Sequence, residues 1–268
     1  MAGVIQAALL GVVQGVTEFL PVSSTAHLLI ASRLLGFQDP GGVFTVMIQL
    51  GSIFAVVWLY RAKILDVVMG LPSRPEARRF AAMVLVALVP ALVAGGLLSG
   101  FVTRVLYNAL AVTGVTFVLG GIVILLVERA RPVPSVRDVD RTPIGKAFAI
   151  GVCQAVAIVP GVSRSGATIM GGLGVGLDRA VAAEFSFFLA IPTLTAAFAN
   201  SLWKVRHNLT SGQASEIAIG FLMAFVSSAL VVKPFLNYVR RSGFQSFAWY
   251  RITAGLVLLA ALAAGWGR

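Results

Sequence analysis

The chain has 268 residues, of which 58% are hydrophobic and 12% are charged, and its formal net charge is +11. Soluble domains contain about 45–50% apolar and about 25% charged residues. The mean hydropathy of +0.93 is also strongly apolar. This composition excludes a soluble protein and predicts an integral membrane protein. Because the Lys and Arg residues cluster in short loops, without a basic helix or an aromatic platform, we expect no nucleic-acid partner.

The N-terminal segment predicts two helices, each too short to span a bilayer. The first, 3–19, should end before Pro21, because proline lacks an N–H and disfavours helical geometry in the residue before it. The second, 24–36, should begin with Ser23 or Ser24 as its N-cap. Such a pair indicates a re-entrant hairpin, since a broken backbone at membrane depth is tolerated only where it is buried in protein or lines a cavity.

Six further segments have the apolar length of about 20 residues that a membrane-spanning helix needs. They are 42–60, 81–101, 109–128, 180–200, 213–232 and 244–266. We therefore predict an all-α polytopic membrane protein, with residues 1–268 forming a single membrane domain.

The second half of the chain repeats the first. Residues 151–163 match residues 11–23 at six of thirteen positions, and the offset of 140 is about half the chain. This repeat predicts a second re-entrant hairpin at about 145–176. The predicted units are repeat one at about 1–128, a basic cytoplasmic linker at 129–146 and repeat two at about 147–268.

Positive charge in the loops predicts the orientation of the chain. Lys and Arg number 5, 5 and 3 in loops 61–79, 129–146 and 233–241, against 1 and 2 in loops 102–108 and 201–212. The richer loops should face the cytoplasm. All three richer loops face the cytoplasm only if the segment 145–176 returns to the side of the membrane that it left. A re-entrant hairpin does so, but two full membrane spans would do so as well. The hairpins should then dip from opposite faces, which makes the halves an inverted-topology repeat.

Gln14 and Glu18 interrupt the first helix and share one of its faces, because they are four residues apart. An ionisable side chain inside a membrane costs about 2.5 kcal/mol or more on insertion scales and indicates a functional site. We interpret Glu18 as catalytic and Gln14 as its support. The alternative is a structural role for Glu18, as a cap of a neighbouring helix or as an ion-pair partner of Arg164.

The run Ser23–Ser24–Thr25 opens the second helix. Its hydroxyls and free backbone N–H groups converge at the positive end of the helix dipole, where a phosphate binds well. His27 follows one turn later on the same side, so hydroxyls and imidazole should meet at the hairpin tip. We interpret His27 as a catalytic or proton-transfer residue, with a helix-packing hydrogen bond as the alternative.

Arg164 lies at the matching tip of the second hairpin and aligns with Ser24. If the two tips meet, Arg164 would be a bidentate donor to a phosphate, with Glu18 and His27 on its flank. The predicted phosphate-binding residues are Ser23, Thr25, Ser163, Arg164, Ser165 and Gly166.

Two more polar residues fall within predicted spans. Gln49 lies in a polar and small patch in the middle of 42–60. Glu184 is a second acid in an apolar stretch, where it would support the second hairpin or bind a metal, and we favour the supporting role.

Four stretches resemble signature sequences of the undecaprenyl-diphosphate phosphatase family, also called the bacitracin-resistance protein. They are EFLPVSSTAH, FTVMIQLGSI, PGVSRSGATI and AAEFSFFLAIP, and the resemblance covers nearly the whole chain in the right order. The chain departs from the pattern at Gln14, which stands in place of an acid, and at Ala26, where many members have glycine. The family's acidic, serine-rich and arginine motifs fall on Gln14 and Glu18, on Ser23, Ser24, Thr25 and His27, and on residues 163–166.

The resemblance implies hydrolysis of the terminal phosphate of a C55 polyprenyl diphosphate, which yields the lipid carrier for cell-wall synthesis and removes the target of bacitracin. It implies six transmembrane helices plus two re-entrant helix hairpins in the bacterial inner membrane, with a site open to the periplasmic side. It also implies a divalent cation, Mg²⁺ or Ca²⁺, with Glu18 as the candidate metal ligand. The implied partners are the lipid substrate and membrane lipid, and a homodimer stays open.

Two alternatives stay open in the chemistry. The nucleophile is Ser24 or a water, activated by Glu18 or His27, while Arg164 neutralises the phosphoryl oxygens. The alternative function is a lipid-phosphate transporter or flippase, since inverted repeats with broken helices are typical of secondary carriers. We favour the phosphatase because a carrier does not need an acid, a histidine and three hydroxyls around one arginine.

Overall fold

A computed structural model of the chain describes residues 2–39, 42–102, 110–205 and 214–266. Within these ranges, β-type pairing is confined to an isolated bridge between Val136 and Leu177, so the all-α fold class is confirmed. The helices are α1 Ala2–Thr17, α2 Ser24–Leu35, α3 Val43–Leu59, α4 Arg61–Gly70, α5 Pro75–Phe101, α6 Leu110–Ala130, α7 Ile144–Ala155, α8 Arg164–Gly174, α9 Arg179–Val205, α10 Ala214–Ser242 and α11 Gln245–Ala263.

Five of the described helices, α5, α6, α9, α10 and α11, are long and apolar enough to span a membrane. The predicted span 42–60 corresponds to α3, which bends by 75° into α4 and makes a sixth span if the bent pair counts as one. The prediction of a polytopic membrane protein is therefore confirmed. Helices α5 and α10 extend beyond the predicted 81–101 and 213–232, because hydropathy marks only the apolar part of a helix and misses its charged turns.

The four short helices follow the prediction for the two hairpins. Helices α1, α2, α7 and α8 have 16, 12, 12 and 11 residues, too few to cross a bilayer in a straight helix. Helix α2 ends at Gly36, whose φ of 66° is the left-handed conformation that stops a helix. A short 3-10 turn, Val156–Ile158, follows α7 before the chain breaks.

Each hairpin packs its first helix against a long helix of the other half, α1 against α10 and α7 against α5. The backbones of each helix pair approach closely at a glycine. Gly11 of α1 packs against the carbonyl of Gly220, and Gly151 of α7 packs against the carbonyl of Ala87. A Cβ at either glycine would clash with backbone. Within the described residues each half begins with two short helices, but the first half has six helices and the second has five, because α3 is followed by the bent α4. The opposite orientation of the halves stays a prediction, and the cation-poor loops lie largely outside the described residues.

The predicted linker 129–146 begins inside α6 and ends inside α7. Val136, Val139 and Thr142 within it are buried, and the bridge to Leu177 holds it on the end of the second hairpin. The linker is therefore part of the packed structure.

An apolar core surrounds the first turns of α9 and holds the first break in place. Phe185, Phe187 and Phe188 are buried there, and the ring of Phe19 packs edge-on against Phe187 with centroids 5.3 Å apart. The residue that follows Glu18 is thus anchored in the core, which fixes the direction of the carboxylate.

Candidate active site

The first break is a strained turn between α1 and α2. Glu18 closes the α1 ladder with an N–H bond to the Gln14 carbonyl at 3.0 Å, and Pro21 has no N–H with which to continue it. Ser23 then has a φ of 71°, a conformation that costs a non-glycine residue about 1–3 kcal/mol. Ser23 occupies the predicted N-cap position, but its side chain makes no capping bond. Its hydroxyl is therefore not used to hold the helix.

The second break uses a glycine and a serine cap. Gly161 has a φ of 84°, and Thr113 and Thr116 leave no room for a Cβ there. Ser163 caps α8, since its Oγ accepts the N–H of Gly166 at 3.0 Å. The two breaks look alike in sequence but are built differently.

The tips of the two hairpins meet, as the sequence predicts. Arg164 Nη2 donates to Glu18 Oε1 at 2.9 Å, and the two side chains are 12% and 5% exposed. Ser165 Oγ donates to the Leu20 carbonyl at 2.7 Å. The expected meeting of acid and arginine is therefore confirmed, and the ion pair also ties the hairpins together.

The carboxylate of Glu18 accepts two further hydrogen bonds, both at Oε2. Ser24 Oγ donates at 2.6 Å and Gln14 Nε2 at 2.8 Å. Gln14 Oε1 and Arg164 Nε are buried and have no hydrogen-bond partner within the described residues. Buried polar atoms normally have a partner, so these two mark places where water or a ligand atom would bind.

Ser186 of α9 and Phe19 after α1 flank the guanidinium of Arg164. Nη1 donates to the Ser186 carbonyl at 3.0 Å, and the guanidinium lies 5.9 Å from the ring centroid of Phe19. Thr168 Oγ1 donates to Ser186 Oγ at 2.7 Å, which fixes Ser186 in turn. The arginine is therefore positioned before any ligand binds.

A cavity of about 300 Å³, lined by both polar and apolar side chains, opens on the ion pair. Its polar lining includes the predicted residues Glu18, Ser23, Ser24, Thr25, Gln49, Ser163 and Arg164. Ser165 and Gly166 do not line the cavity. The Ser165 hydroxyl is bonded to the Leu20 carbonyl, and the Gly166 N–H is bonded to the Ser163 hydroxyl. Gln14 supports Glu18 from outside the lining. We name this space the phosphate cavity.

A wider space of about 700 Å³ adjoins the phosphate cavity and shares Thr25 and Gln49 with it. Arg33 and Asp39 also line this space, between α2 and α3. The space beside the phosphate cavity therefore carries one basic and one acidic side chain.

His27 points away from the acid and the arginine. Nδ1 lies 2.8 Å from the Ser23 carbonyl, Nε2 bonds to the Tyr250 hydroxyl, and the imidazole packs beside Phe117. Because a carbonyl only accepts, Nδ1 carries the proton. The prediction that the imidazole of His27 meets the serine hydroxyls is therefore wrong. The catalytic role of His27 stays a prediction.

Glu184 is half-buried and lies outside the phosphate cavity. It contacts Tyr60 and lines a separate space of about 470 Å³ with Asp138 and Arg240, beside the linker. The apolar stretch around Glu184 suggested a buried acid, but the residue lies in the second turn of α9 and reaches the linker. This position favours the supporting role over metal binding.

Arg251 is a site residue that the sequence did not reveal. It is 2% exposed, and its guanidinium donates to the carbonyls of Pro21 and Gly161 at 3.2 and 3.0 Å. It also donates to Thr116 and Phe117 of α6. One side chain of α11 therefore joins both breaks to α6. Only the rarity of an arginine inside an apolar span could have marked it.

Gln154 and Thr193 also line the phosphate cavity. Gln154 Nε2 donates to Thr193 Oγ1 at 3.2 Å. Gln154 is equivalent to Gln14 in the internal repeat, so the repeat could have marked Gln154 as a candidate site residue.

The described residues contain no group of three or more His, Cys, Asp and Glu side chains that could hold a metal ion. Glu18 is the one carboxylate among the residues that line the phosphate cavity. This set fits a cation that the phosphates of a substrate help to bind, as Mg²⁺ often is, rather than an ion in an all-protein cage.

The fold and the site define a polytopic membrane protein with a cavity at the junction of two broken helices, where a buried acid and an arginine form an ion pair. Residues 7–257 match the family model for bacitracin resistance protein BacA. The chain is 48% identical to undecaprenyl-diphosphatase of Cereibacter sphaeroides over 97% of each chain. Identity is 46% to undecaprenyl-diphosphatase 1 of Agrobacterium fabrum, over 97% of each chain, and 44% to undecaprenyl-diphosphatase of Paracoccus denitrificans, over 98% of each. The chain therefore belongs to the bacitracin resistance protein BacA family, as its motifs indicated.

Proposed function

We propose that this protein hydrolyses undecaprenyl diphosphate to undecaprenyl phosphate and orthophosphate. This reaction would recycle the lipid carrier for cell-wall synthesis and give bacitracin resistance. The observation that carries the proposal is the contact of Ser24, Glu18 and Arg164 at the phosphate cavity. Relatives that match nearly the whole chain are named undecaprenyl-diphosphatase, which supports the same substrate here.

The diphosphate would bind in the phosphate cavity with its terminal phosphate beside Arg164. Arg164 Nε, which has no partner in the described structure, and the backbone N–H groups at the start of α2 would donate to the phosphoryl oxygens. Such fixed donors stabilise the charge that develops during phosphoryl transfer. Binding would weaken the Arg164–Glu18 ion pair and free the carboxylate for proton transfer.

We propose Ser24 as the nucleophile, because its hydroxyl already donates to Glu18 at 2.6 Å. Ser24 Oγ forms a bond to the terminal phosphorus, the bond from that phosphorus to the bridging oxygen breaks, and Glu18 takes the serine proton. Undecaprenyl phosphate leaves. A water oxygen then bonds to the phosphorus and its two protons stay on the phosphate, the bond from phosphorus to Ser24 Oγ breaks, and Glu18 returns its proton to Ser24 Oγ as dihydrogen phosphate departs. Direct attack by water is the alternative.

His27 would act in this mechanism by holding the Ser23 carbonyl, and thereby the strained entry to α2. A proton-transfer role would require the imidazole to leave Tyr250 first. A divalent cation, Mg²⁺ or Ca²⁺, is proposed as cofactor with Glu18 as its protein ligand, and it would supply positive charge to the diphosphate.

We further propose that the two halves are inverted and that the protein lies in the bacterial inner membrane, with the phosphate cavity open to the periplasmic side. The distribution of Lys and Arg among the loops supports this orientation.

Orthophosphate release from undecaprenyl diphosphate by purified protein in detergent tests the function. We expect Glu18→Gln to lower the rate by about two orders of magnitude or more. Glu184→Gln is the matched control, because it makes the same change in a half-buried acid outside the phosphate cavity, and it should retain most of the rate. A folded wild-type protein that releases no phosphate, but moves the lipid phosphate across vesicles, would instead be a transporter.

A further inference from the structure

An apolar groove of about 530 Å³ begins beside the candidate active site. Residues of α6, α7 and α8 line it, and Val162 and Ser163 line both this groove and the phosphate cavity. The side chains of Leu119, Val123 and Val156 on its walls are about half exposed in the protein. In a bilayer they would face hydrocarbon. We name this space the α6–α8 groove.

The polar residues of the α6–α8 groove are gathered at the end beside the phosphate cavity. They are Thr116, Ser163 and Arg251. Thr116 Oγ1 donates to the Pro160 carbonyl at 2.9 Å, and the Arg251 guanidinium is bonded to four carbonyls. These donors are already used, so the groove does not suit a second headgroup. The rest of its wall consists of apolar side chains and glycine.

We propose that the α6–α8 groove holds the first isoprene units of the substrate's polyprenyl chain while the diphosphate occupies the phosphate cavity. This proposal rests on the proposed function. Its chemical basis is that an apolar groove shares Val162 and Ser163 with the phosphate cavity, which matches a lipid with a charged head and an apolar tail. The occupant is thus the tail of the substrate rather than a bilayer lipid.

The length of the groove limits how much of the chain it can hold. Its α8 wall runs from Gly166 to Gly174, which are eight residues apart, or about 12 Å along a helix. Its α6 wall runs from Thr116 to Val127, about 17 Å by the same rise. An extended chain of about three to four isoprene units covers that distance, by ordinary bond lengths. The remaining units would lie in the bilayer.

Gly174 offers a way to block the groove without disturbing the fold. It is exposed on the last turn of α8, and a Cβ at Gly174 would meet no atom within 4 Å. A leucine there would therefore occupy the distal half of the groove. Gly96 is the matched control, because it is an exposed helical glycine of α5 with the same open surroundings and it does not line the groove.

The kinetic test compares undecaprenyl diphosphate with geranyl diphosphate, whose two isoprene units fall short of Gly174. We expect Gly174→Leu to lower kcat/KM for undecaprenyl diphosphate about tenfold, mainly through KM, and to leave geranyl diphosphate within twofold. Gly96→Leu should change neither substrate. Equal losses for both substrates, or no loss for the long one, would overturn the proposal.

Alkylation of Cys153 tests the same groove without hydrolysis. Cys153 is the one cysteine of the chain, it is partly exposed, and it lines the groove. We expect undecaprenyl phosphate to slow its reaction with N-ethylmaleimide at least fivefold more than an equal concentration of dioleoyl phosphatidic acid. Equal protection by both lipids, or by neither, would contradict the proposal. If the protein hydrolyses no diphosphate but undecaprenyl phosphate protects Cys153, the proposed function is wrong, while binding of a polyprenyl chain in the α6–α8 groove is supported.

Discussion

The two breaks occupy equivalent positions in the repeat but use their serines differently. At the first break, Ser23 leaves α2 without a side-chain cap, and Ser24 donates to the carboxylate of Glu18. At the second break, Ser163 caps α8 and Ser165 holds the other hairpin at Leu20. The first break therefore leaves a hydroxyl on the Glu18 carboxylate, and the second uses its hydroxyls to hold the helix and the other hairpin.

The backbones of the two breaks differ in the same sense. The first passes through a positive φ at a serine, Ser23, and the second at a glycine, Gly161. Strain of this kind persists only where the surroundings hold it, and it is commonly found at functional sites. We therefore interpret the first copy of this supersecondary unit as the reactive half and the second copy as the scaffolding half that carries the arginine.

The largest effect should come from the hydroxyl at the first break. We expect Ser24→Ala to lower kcat for phosphate release by about 10³-fold or more, since it removes the nucleophile. Rapid-quench samples of the wild type should also contain a phosphoenzyme that Ser24→Ala lacks. Ser227→Ala is the control, because its hydroxyl bonds within α10 to Met223. A Ser24→Ala variant with more than a tenth of the wild-type rate would favour direct attack by water.

The next effect should come from Arg251, which joins the two breaks. Replacing it with glutamine leaves several buried carbonyls without a donor, each at a cost of about 1–3 kcal/mol. We expect a loss of about 3 kcal/mol or more in the free energy of unfolding, measured by chemical unfolding in mixed micelles. Phosphate release should fall about 10–100-fold where the protein stays folded. The exposed Arg240→Gln is the control, and an equal result for both would show that Arg251 does not position the site.

At the second break, the cap should matter more for stability than for turnover. Ser163→Ala removes the bond to the Gly166 N–H, and losing an N-cap costs about 1 kcal/mol of stability. We expect a loss of that size and a decrease in kcat of no more than tenfold. A decrease as large as that for Ser24→Ala would abolish the distinction between a reactive and a scaffolding break.

The smallest effects should come from substitutions at the two residues with positive φ, Ser23 and Gly161. Ser23→Gly relieves the strain at φ 71° and should raise the free energy of unfolding by about 1 kcal/mol. Gly161→Ala should lower it by about 2 kcal/mol or more, because its φ of 84° and the contact with Thr116 exclude a Cβ. Thermal unfolding in detergent measures both changes. If both variants were destabilised alike, the first break would not be strained.

Local signals predicted most of the fold and the centre of the site. Pro21 interrupts the first apolar segment, so the ends of α1 and α2 could be placed within about two residues. The repeat then set Arg164 opposite the hairpin that carries Glu18. Their ion pair, with atoms 2.9 Å apart, is the structural alternative that the sequence leaves open for Glu18.

Residues that act across distant segments could not be predicted. Arg251 bonds to Pro21 and Gly161, which are 230 and 90 residues away, and no periodicity in α11 encodes those partners. His27 was assigned to the serine hydroxyls because helix spacing gives only the side of a helix. Its partner, Tyr250, comes from the other end of the chain. The position of Glu184 favours the supporting role expected for it, but its contact with Tyr60 could not be predicted, since an apolar sequence does not show which end of a helix faces the site.

A double-mutant cycle on Glu18 and Arg164 tests most directly whether the two hairpin tips form one active site. Phosphate release from undecaprenyl diphosphate would be measured for Glu18→Gln, Arg164→Ala and the double variant, with folding checked for each. We expect each single change to cost about 100-fold or more and the double variant to lie within about tenfold of the worse single one, because residues that act as a unit are not additive. Losses that multiply in full, or a folded single variant with the wild-type rate, would contradict a shared site.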